Sequence, residues 1–403
     1  MALGCRLLGP TLAGRLCARF IVADPGSGPA CLCISRDVFS KDIDQLRVRT
    51  DRAWPHVSQA LLYLCEQAWL PSSYFRQGAF QDELPGLSSA AVAKTERFAV
   101  SFLRSAQARH AIGAVMSGSI DYAQDEWIRR AAQRSGIPFL ALCKEHAITD
   151  YGYRVFAASL SGYRYHGDGV AVFGPRSRDI LGDESVFPPE RVWITGPPRL
   201  DEWCDLLPAP RRDIAVLFSF SNDYQDGSAS WPDVLAAFAA AAAASTQQGL
   251  RFVVKCRDPY EEEAVQQFVT ASGAPVEVIS FTPLPDLLRR AFAAVGFCSL
   301  AIVEALLSPA TVISPRFGAC QNDVDAQFDD RDEALGALVR FPASPDALTD
   351  EVLRAASAGI APEEADARLA VLHAVFCAPA PTYSALVDRF VDEQIARAAR
   401  RSA

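Results

Sequence analysis

From about residue 111 to residue 314 the chain keeps repeating one order: a short apolar run, a small or polar loop, then a longer helix-forming stretch. Short apolar strands alternating with helices are buried on both faces, which predicts parallel sheets joined by right-handed crossovers. The first half carries a helix over 92–108 and a strand over 111–116 that ends in Ser117-Gly118-Ser119. A helix over 122–134 follows, with Asp121 and Asp125 at its entry, and then a strand over 137–143 that delivers Lys144-Glu145-His146 at its carboxyl end. Acidic residues suit a helix start, where backbone N–H groups lack partners. Two more strands are predicted over 169–173 and 191–195.

Proline then crowds the chain at 197, 198, 208 and 210, marking a boundary. Beyond it the alternation is regular, with strands over 214–218, 252–255, 276–279, 293–297 and 311–314. Helices over 231–246, 260–270, 284–291 and 300–307 separate them. A length of 403 residues exceeds what one hydrophobic core usually serves. The expected fold class is therefore α/β, with two Rossmann-like domains at 1–205 and 206–375. From 383 to 400, Leu386, Val387, Phe390, Val391 and Ile395 form one apolar stripe; the segment 376–403 is expected to return to the first domain and bury it. Residues 1–100 show only a strand over 30–35 and a helical pattern over 57–68.

The net charge of −9 argues against nucleic acid as a partner, because phosphate binding needs clustered cations. Eleven scattered cysteines, with only Cys31 and Cys33 close in sequence, make no disulfide framework and no zinc site. Ordinary thiols in a reducing, cytoplasmic setting are expected. No apolar run is long enough to cross a bilayer, and charges interrupt residues 1–20 before a signal peptide could form. A membrane-bound substrate would have to be met at the bilayer surface, on its inner face.

Ligands in open parallel sheets sit at the carboxyl ends of the strands, so the candidate site residues are sought there. Ser219 and Ser221 follow the strand at 214–218 in a polar loop suited to an anion. Lys255 and Arg257 emerge after the next strand and could neutralise a diphosphate. Ser299 stands at a helix start, and Glu304 lies one turn on, placed to accept both hydroxyls of a ribose. Arg199 and Asp201 end the first domain, where they line the cleft or brace the linker. Glu145 and His146 are the candidate general bases, in a loop expected to face the interdomain cleft, with Asp121 in reserve. His56, His110, His166 and His373 are expected to be structural or exposed. No metal is expected, since no Asp-x-Asp triplet follows a suitable strand; Asp323-x-Asp325 and Asp329-Asp330 lie in a later polar loop.

Cys298–Leu306, with Ser followed by Glu-Ala-Leu, resembles the donor-binding segment of GT-B glycosyltransferases, and Val312-Ile313 resembles the strand that follows it. The stretch Phe281–Leu288, with Thr282, resembles that family's base-contacting loop. Arg191–Asp201 resembles a segment of bacterial surface-carbohydrate transferases and of CDP-glycerol glycerophosphotransferases. Those enzymes carry Lys-Pro-His-Pro where this chain has Lys255-Cys256-Arg257-Asp258-Pro259, so the usual histidine is missing. The likeness spans roughly residues 110–315. It implies a metal-independent transferase that moves a sugar or alditol phosphate from a nucleotide-activated donor, itself the substrate and no cofactor, to a surface polysaccharide or glycolipid, with peripheral membrane contact. In that family the Ser meets donor phosphates and the Glu meets ribose. A nucleotide-sugar 2-epimerase and a catalytically inactive nucleotide-binding subunit are the alternatives.

Overall fold

The computed structural model describes residues 1–76, 87–120, 122–143, 150–205, 211–219, 231–245, 249–257, 259–297, 299–318, 328–331, 333–357 and 362–402. Two compact units are present: Met1–His146, Ala157–Asp201 and Phe376–Ala403 form the first, and Ala147–Phe156 with Glu202–Val375 the second.

The first unit holds six strands: β1 (Ala30–Ser35), β2 (His56–Ser58), β3 (Ile112–Ser117), β4 (Phe139–Cys143), β5 (Gly169–Val172) and β6 (Val192–Ile194). They form one parallel sheet in the order β2-β1-β3-β4-β5-β6. Every residue of β4 and β5 is buried, as expected for strands covered on both faces. Cys31 and Cys33 lie inside β1 as buried thiols.

The C-terminal helix, Tyr383–Ser402, belongs to this unit. It buries Val387, Phe390 and Val391, and the Phe390 ring lies 5.8 Å from that of Trp193 in β6. Arg52, itself buried, donates to Asp388 and Asp392 on this helix and to the Pro29 carbonyl at 2.6 Å. Fully burying one such Val or Phe side chain contributes about 1.5–3 kcal/mol.

The second unit repeats the plan with β7 (Ile214–Phe218), β8 (Arg251–Lys255), β9 (Val276–Ile279), β10 (Ala291–Val295), β11 (Thr311–Ile313) and β12 (Val339–Arg340). Their order is β12-β11-β10-β7-β8-β9, again parallel. The helix Trp231–Ala244 covers one face, packing Phe238 against Phe252 with ring centroids 5.7 Å apart.

The helix expected over 284–291 ends at Leu288 and the strand expected over 137–143 starts at Phe139, and two further elements are displaced. The strand expected over 293–297 runs from Ala291 to Val295, so Gly296 and Phe297 belong to the loop that leaves the sheet. A Cβ at Gly296 would lie 3.0 Å from Phe218 and 3.3 Å from Ile302, so a side chain there would crowd strand against helix. The helix expected over 122–134 starts only at Glu126, after a 3-10 turn over Ala123–Asp125.

Candidate functional site

In the second unit β7 is the first strand, β8 and β9 extend the sheet on one side, and β10 to β12 extend it on the other. The loops leaving β7 and β10 therefore diverge, and a parallel sheet binds its ligand in the crevice made at such a switch point. Ser219 follows β7, and Ser299 follows β10.

Ser299 is the N-cap of the short helix Leu300–Glu304; its Oγ accepts the Ala301 N–H at 3.2 Å, which leaves the hydroxyl proton to donate elsewhere. Glu304 ends that helix and is only 5% exposed, among the buried side chains of Ile302, Val303, Ala305 and Leu306. It does not turn out into bulk water.

The loops after β7 and β8 are knitted together. The Ser219 hydroxyl donates to the Glu261 carboxylate and accepts the Arg257 N–H at 3.0 Å, and that same N–H also reaches Glu261 at 3.2 Å. Lys255 spends its ammonium on the carbonyls of Cys256, at 3.0 Å, and Ser280. Both residues thus act first as ties between neighbouring strand ends. The Arg257 side chain is exposed and has no carboxylate partner among the described residues, so it is the cation at this edge best placed for an anion. Thr282 is half-buried in the turn before the helix Leu284–Leu288. Ser221 lies outside the described residues.

Glu261 was not found by sequence reasoning, nor was Glu262, which accepts the Ser280 hydroxyl at 2.5 Å. Their signal was the run Glu261-Glu262-Glu263 at a helix start. It reads equally as a favourable interaction with the helix end.

In the first unit Arg199 pairs with the fully buried Asp42, which also accepts its backbone N–H at 3.1 Å. Asp201 is fully buried too, and caps the C-terminal helix through the N–H groups of Tyr383 and Ser384. Both side chains are thus engaged within the first unit. Glu145, His146 and Asp121 lie outside the described residues, as do Asp323 and Asp325.

The carboxyl edge of β1 and β2 opens into a cleft of about 670 Å³, lined among others by Ser35, Arg36, His56, Ser58, Gln59 and Gln124. The Arg36 guanidinium lies 4.4 Å over the Tyr122 ring and has no carboxylate partner among the described residues. Burial, and after it the nearby Arg47, lowers the His56 pKa from its ordinary value and so favours the neutral imidazole. The ring nitrogen Nδ1 is buried and has no hydrogen-bond partner among the described residues. His56 is therefore a cleft residue that the sequence, with no partner at a telling spacing, leaves looking structural.

No protein-family model matches the chain, and no curated protein matches it. Solved structures do. A glycosyltransferase from Rickettsia africae superposes with a TM-score of 0.51 at 9% identity, covering 92% of this chain and 99% of that one. The UDP-N-acetylglucosamine 2-epimerase from Neisseria meningitidis, bound to UDP-GlcNAc, gives 0.50 at 13% identity, with 90% and 99% covered. A putative UDP-N-acetylglucosamine 2-epimerase from Listeria monocytogenes gives 0.51 at 12% identity, with 90% and 95% covered. The fold is GT-B-like. At such identities the likeness concerns the arrangement of the chain and leaves its chemistry to the residues.

Proposed function

We propose that the chain is a metal-independent glycosyltransferase-like enzyme that takes a nucleotide-activated sugar or alditol and passes the sugar or alditol phosphate to a hydroxyl of a saccharide or glycolipid. The observation that carries this reading is the buried carboxylate of Glu304, one short helix beyond Ser299, at the switch point of a parallel sheet. In this role Glu304 accepts the ribose hydroxyls, the Ser299 hydroxyl and Arg257 meet the phosphates, and Thr282 sits beside the base. Ser219 and Lys255 shape the loops around them, and Ser221 is a further candidate for the phosphates.

The transfer itself is simple to balance. The acceptor hydroxyl loses its proton to a base, and its oxygen bonds to the anomeric carbon of a sugar or the phosphorus of an alditol phosphate. The bond to the nucleotide breaks, releasing a nucleoside diphosphate in the first case and a monophosphate in the second. Glu145, His146 and Asp121 remain the candidate bases, and the cleft with Arg36 and His56 is the candidate acceptor side. Cations and N–H groups aimed at the departing phosphate stabilise the charge that develops there.

Thermal melting with UDP, CDP, GDP and CMP tests the reading, because a ligand that binds only the folded state must raise the melting temperature. One nucleotide should do so for the wild type and lose its effect in Glu304→Ala; no response to any of the four removes the proposal. Glu145→Ala should then abolish turnover while leaving nucleotide protection intact. An epimerase is the second reading, favoured by the two similar epimerase structures. Interconversion or hydrolysis of a nucleotide sugar with no acceptor present would select it.

A further inference from the structure

The helix Ala2–Cys17, broken at Gly9-Pro10, packs on the helix Ser89–His110, and the residues it buries are all small: Cys5, Ala13, Gly14 and Cys17. A Cβ on Gly14 would lie 2.5 Å from the Phe98 carbonyl oxygen, so the two backbones touch there. What the contact leaves outside is unusual. Leu3 is 71% exposed and Leu7 82%, joined by Leu8, Leu12, Met1 and Phe20. Of the eleven large apolar side chains exposed among the described residues, seven lie within residues 1–22; Phe20 and Val22 line the cleft at β1 and β2, and the other five lie on this helix or at its start.

The same segment and the helix it packs on carry an excess of cations. Residues 1–20 contain Arg6, Arg15 and Arg19 and no acid, while the helix Ser89–His110 adds Lys94, Arg97, Arg104 and Arg109 against Glu96 alone. All seven cations are exposed, and none has a carboxylate partner among the described residues. Glu96 is already paired with Arg134 at 2.7 Å. A chain of net charge −9 has therefore collected a local excess of cations beside exposed leucines. Between the two helices runs a groove of about 570 Å³, lined by Thr11, Arg15, Arg97, Ser101 and Arg104 among others.

We infer that this face docks on the surface of an anionic phospholipid bilayer. Leu3, Leu7, Leu8 and Leu12 enter the boundary between headgroups and acyl chains, and the arginines meet lipid phosphates. Apolar area and cations supply the two terms that hold an interfacial helix to such a surface. Nucleic acid would use the cations and leave the leucines in water, and a second copy of the chain would set the seven cations against their own kind. No helix among the described residues is long and apolar enough to cross a membrane, so the attachment is to the surface. The inference is independent of the donor site.

Co-sedimentation of the full chain with vesicles tests it. The protein should pellet with phosphatidylcholine vesicles doped with phosphatidylglycerol, pellet little with phosphatidylcholine alone, and be released by added salt. Replacing Leu3 and Leu7 by Ser, or Arg15, Arg97 and Arg104 by Gln, changes only exposed side chains and should leave the melting temperature in place. The triple arginine variant should bind about a hundredfold more weakly, and the leucine variant should also lose binding. Three results overturn the inference: no binding to doped vesicles, binding that survives both variants, or sedimentation velocity showing a dimer that dissolves in the leucine variant.

Discussion

Asp201 receives the backbone N–H of Tyr383 on one carboxylate oxygen at 2.8 Å and that of Ser384 on the other at 2.7 Å. These donors open the last helix of the chain and have no partner of their own within it. Residues 182 positions apart are thereby joined, and a 3-10 turn over Pro198–Asp205, after the last strand of the first unit, fixes where the final helix begins. Asp201→Ala should cost about 2 kcal/mol, as the loss of a buried charged cap does. That lowers the melting temperature by roughly 4–8 °C for a unit of this size. Asp201→Asn keeps one acceptor and should fall between. Calorimetry decides, and a nucleotide response that survives in both variants would confirm that Asp201 braces the fold and does not hold the donor.

Glu66 is fully buried in the first unit, and neither of its carboxylate oxygens has a hydrogen-bond partner among the described residues. Burial, and then the neighbouring Asp125, push its pKa well above the ordinary 4.5. A group whose folded pKa is raised stays protonated in the native chain while the unfolded chain ionises. The unfolded state then binds fewer protons, so stability is full below about 4.5 and falls as pH rises toward the folded pKa. Across that window Glu66 removes up to about 1.4 kcal/mol per pH unit. Glu66→Gln should flatten this slope and melt higher than the wild type at pH values near neutral, in a series of melts from acid to weak base. Equal slopes in the two proteins would mean that Glu66 ionises freely in the native state.

Much of the second unit was legible in the sequence, because its strands are short, apolar and buried on both faces. β7 and β9 have the expected limits, and the helix at Trp231–Ala244 ends within two residues of expectation. β10 was read two residues late since Gly296-Phe297 continues the apolar run after the strand has ended. The first 100 residues were opaque for the opposite reason. The helix Ala2–Cys17 contacts its neighbour through Cys, Ala and Gly and turns its leucines outward, so its apolar periodicity marks the wrong face. At the candidate site the helix start at Ser299, with Glu304 one turn on, could be read from spacing, and their ligand roles only from the family resemblance; the grip of Glu261 on Ser219 joins residues 42 apart and leaves no trace in local pattern.

That grip also sets a competition. A phosphate approaching the Ser219 hydroxyl meets the Glu261 carboxylate already bound there, and like charges repel. Glu261→Gln should tighten binding of the responsive nucleotide several-fold, roughly the effect of removing about 1 kcal/mol of repulsion at a solvent-accessible edge. Arg257→Ala should weaken it by about tenfold, the worth of one charged hydrogen bond to phosphate. Isothermal titration calorimetry reads both. If Glu261→Gln instead weakens binding, the carboxylate is holding Arg257 and Ser219 in place for the ligand, and the loop needs its present geometry.

Gly14 controls the seat of the N-terminal helix. A methyl group there would meet the Phe98 carbonyl oxygen at 2.5 Å and the Phe102 nitrogen at 2.8 Å, both backbone atoms that cannot swing aside. Gly14→Ala must therefore lift the helix from its neighbour, at a cost of about 1–3 kcal/mol for overpacking. Beneath it lie the thiols of Cys5, Cys17 and Cys65, all buried. Burial raises the Cys5 pKa to about 11, so the reactive thiolate is scarce as well as shielded. Lifting the helix should relieve both restraints, and these cysteines should react with an aromatic disulfide reagent several times faster in Gly14→Ala than in the wild type. Mass spectrometry of peptides quenched at intervals locates the labelled residues. Unchanged labelling together with an unchanged melting temperature would show that the two helices can part without cost, and that their close contact at Gly14 does not hold the N-terminal segment.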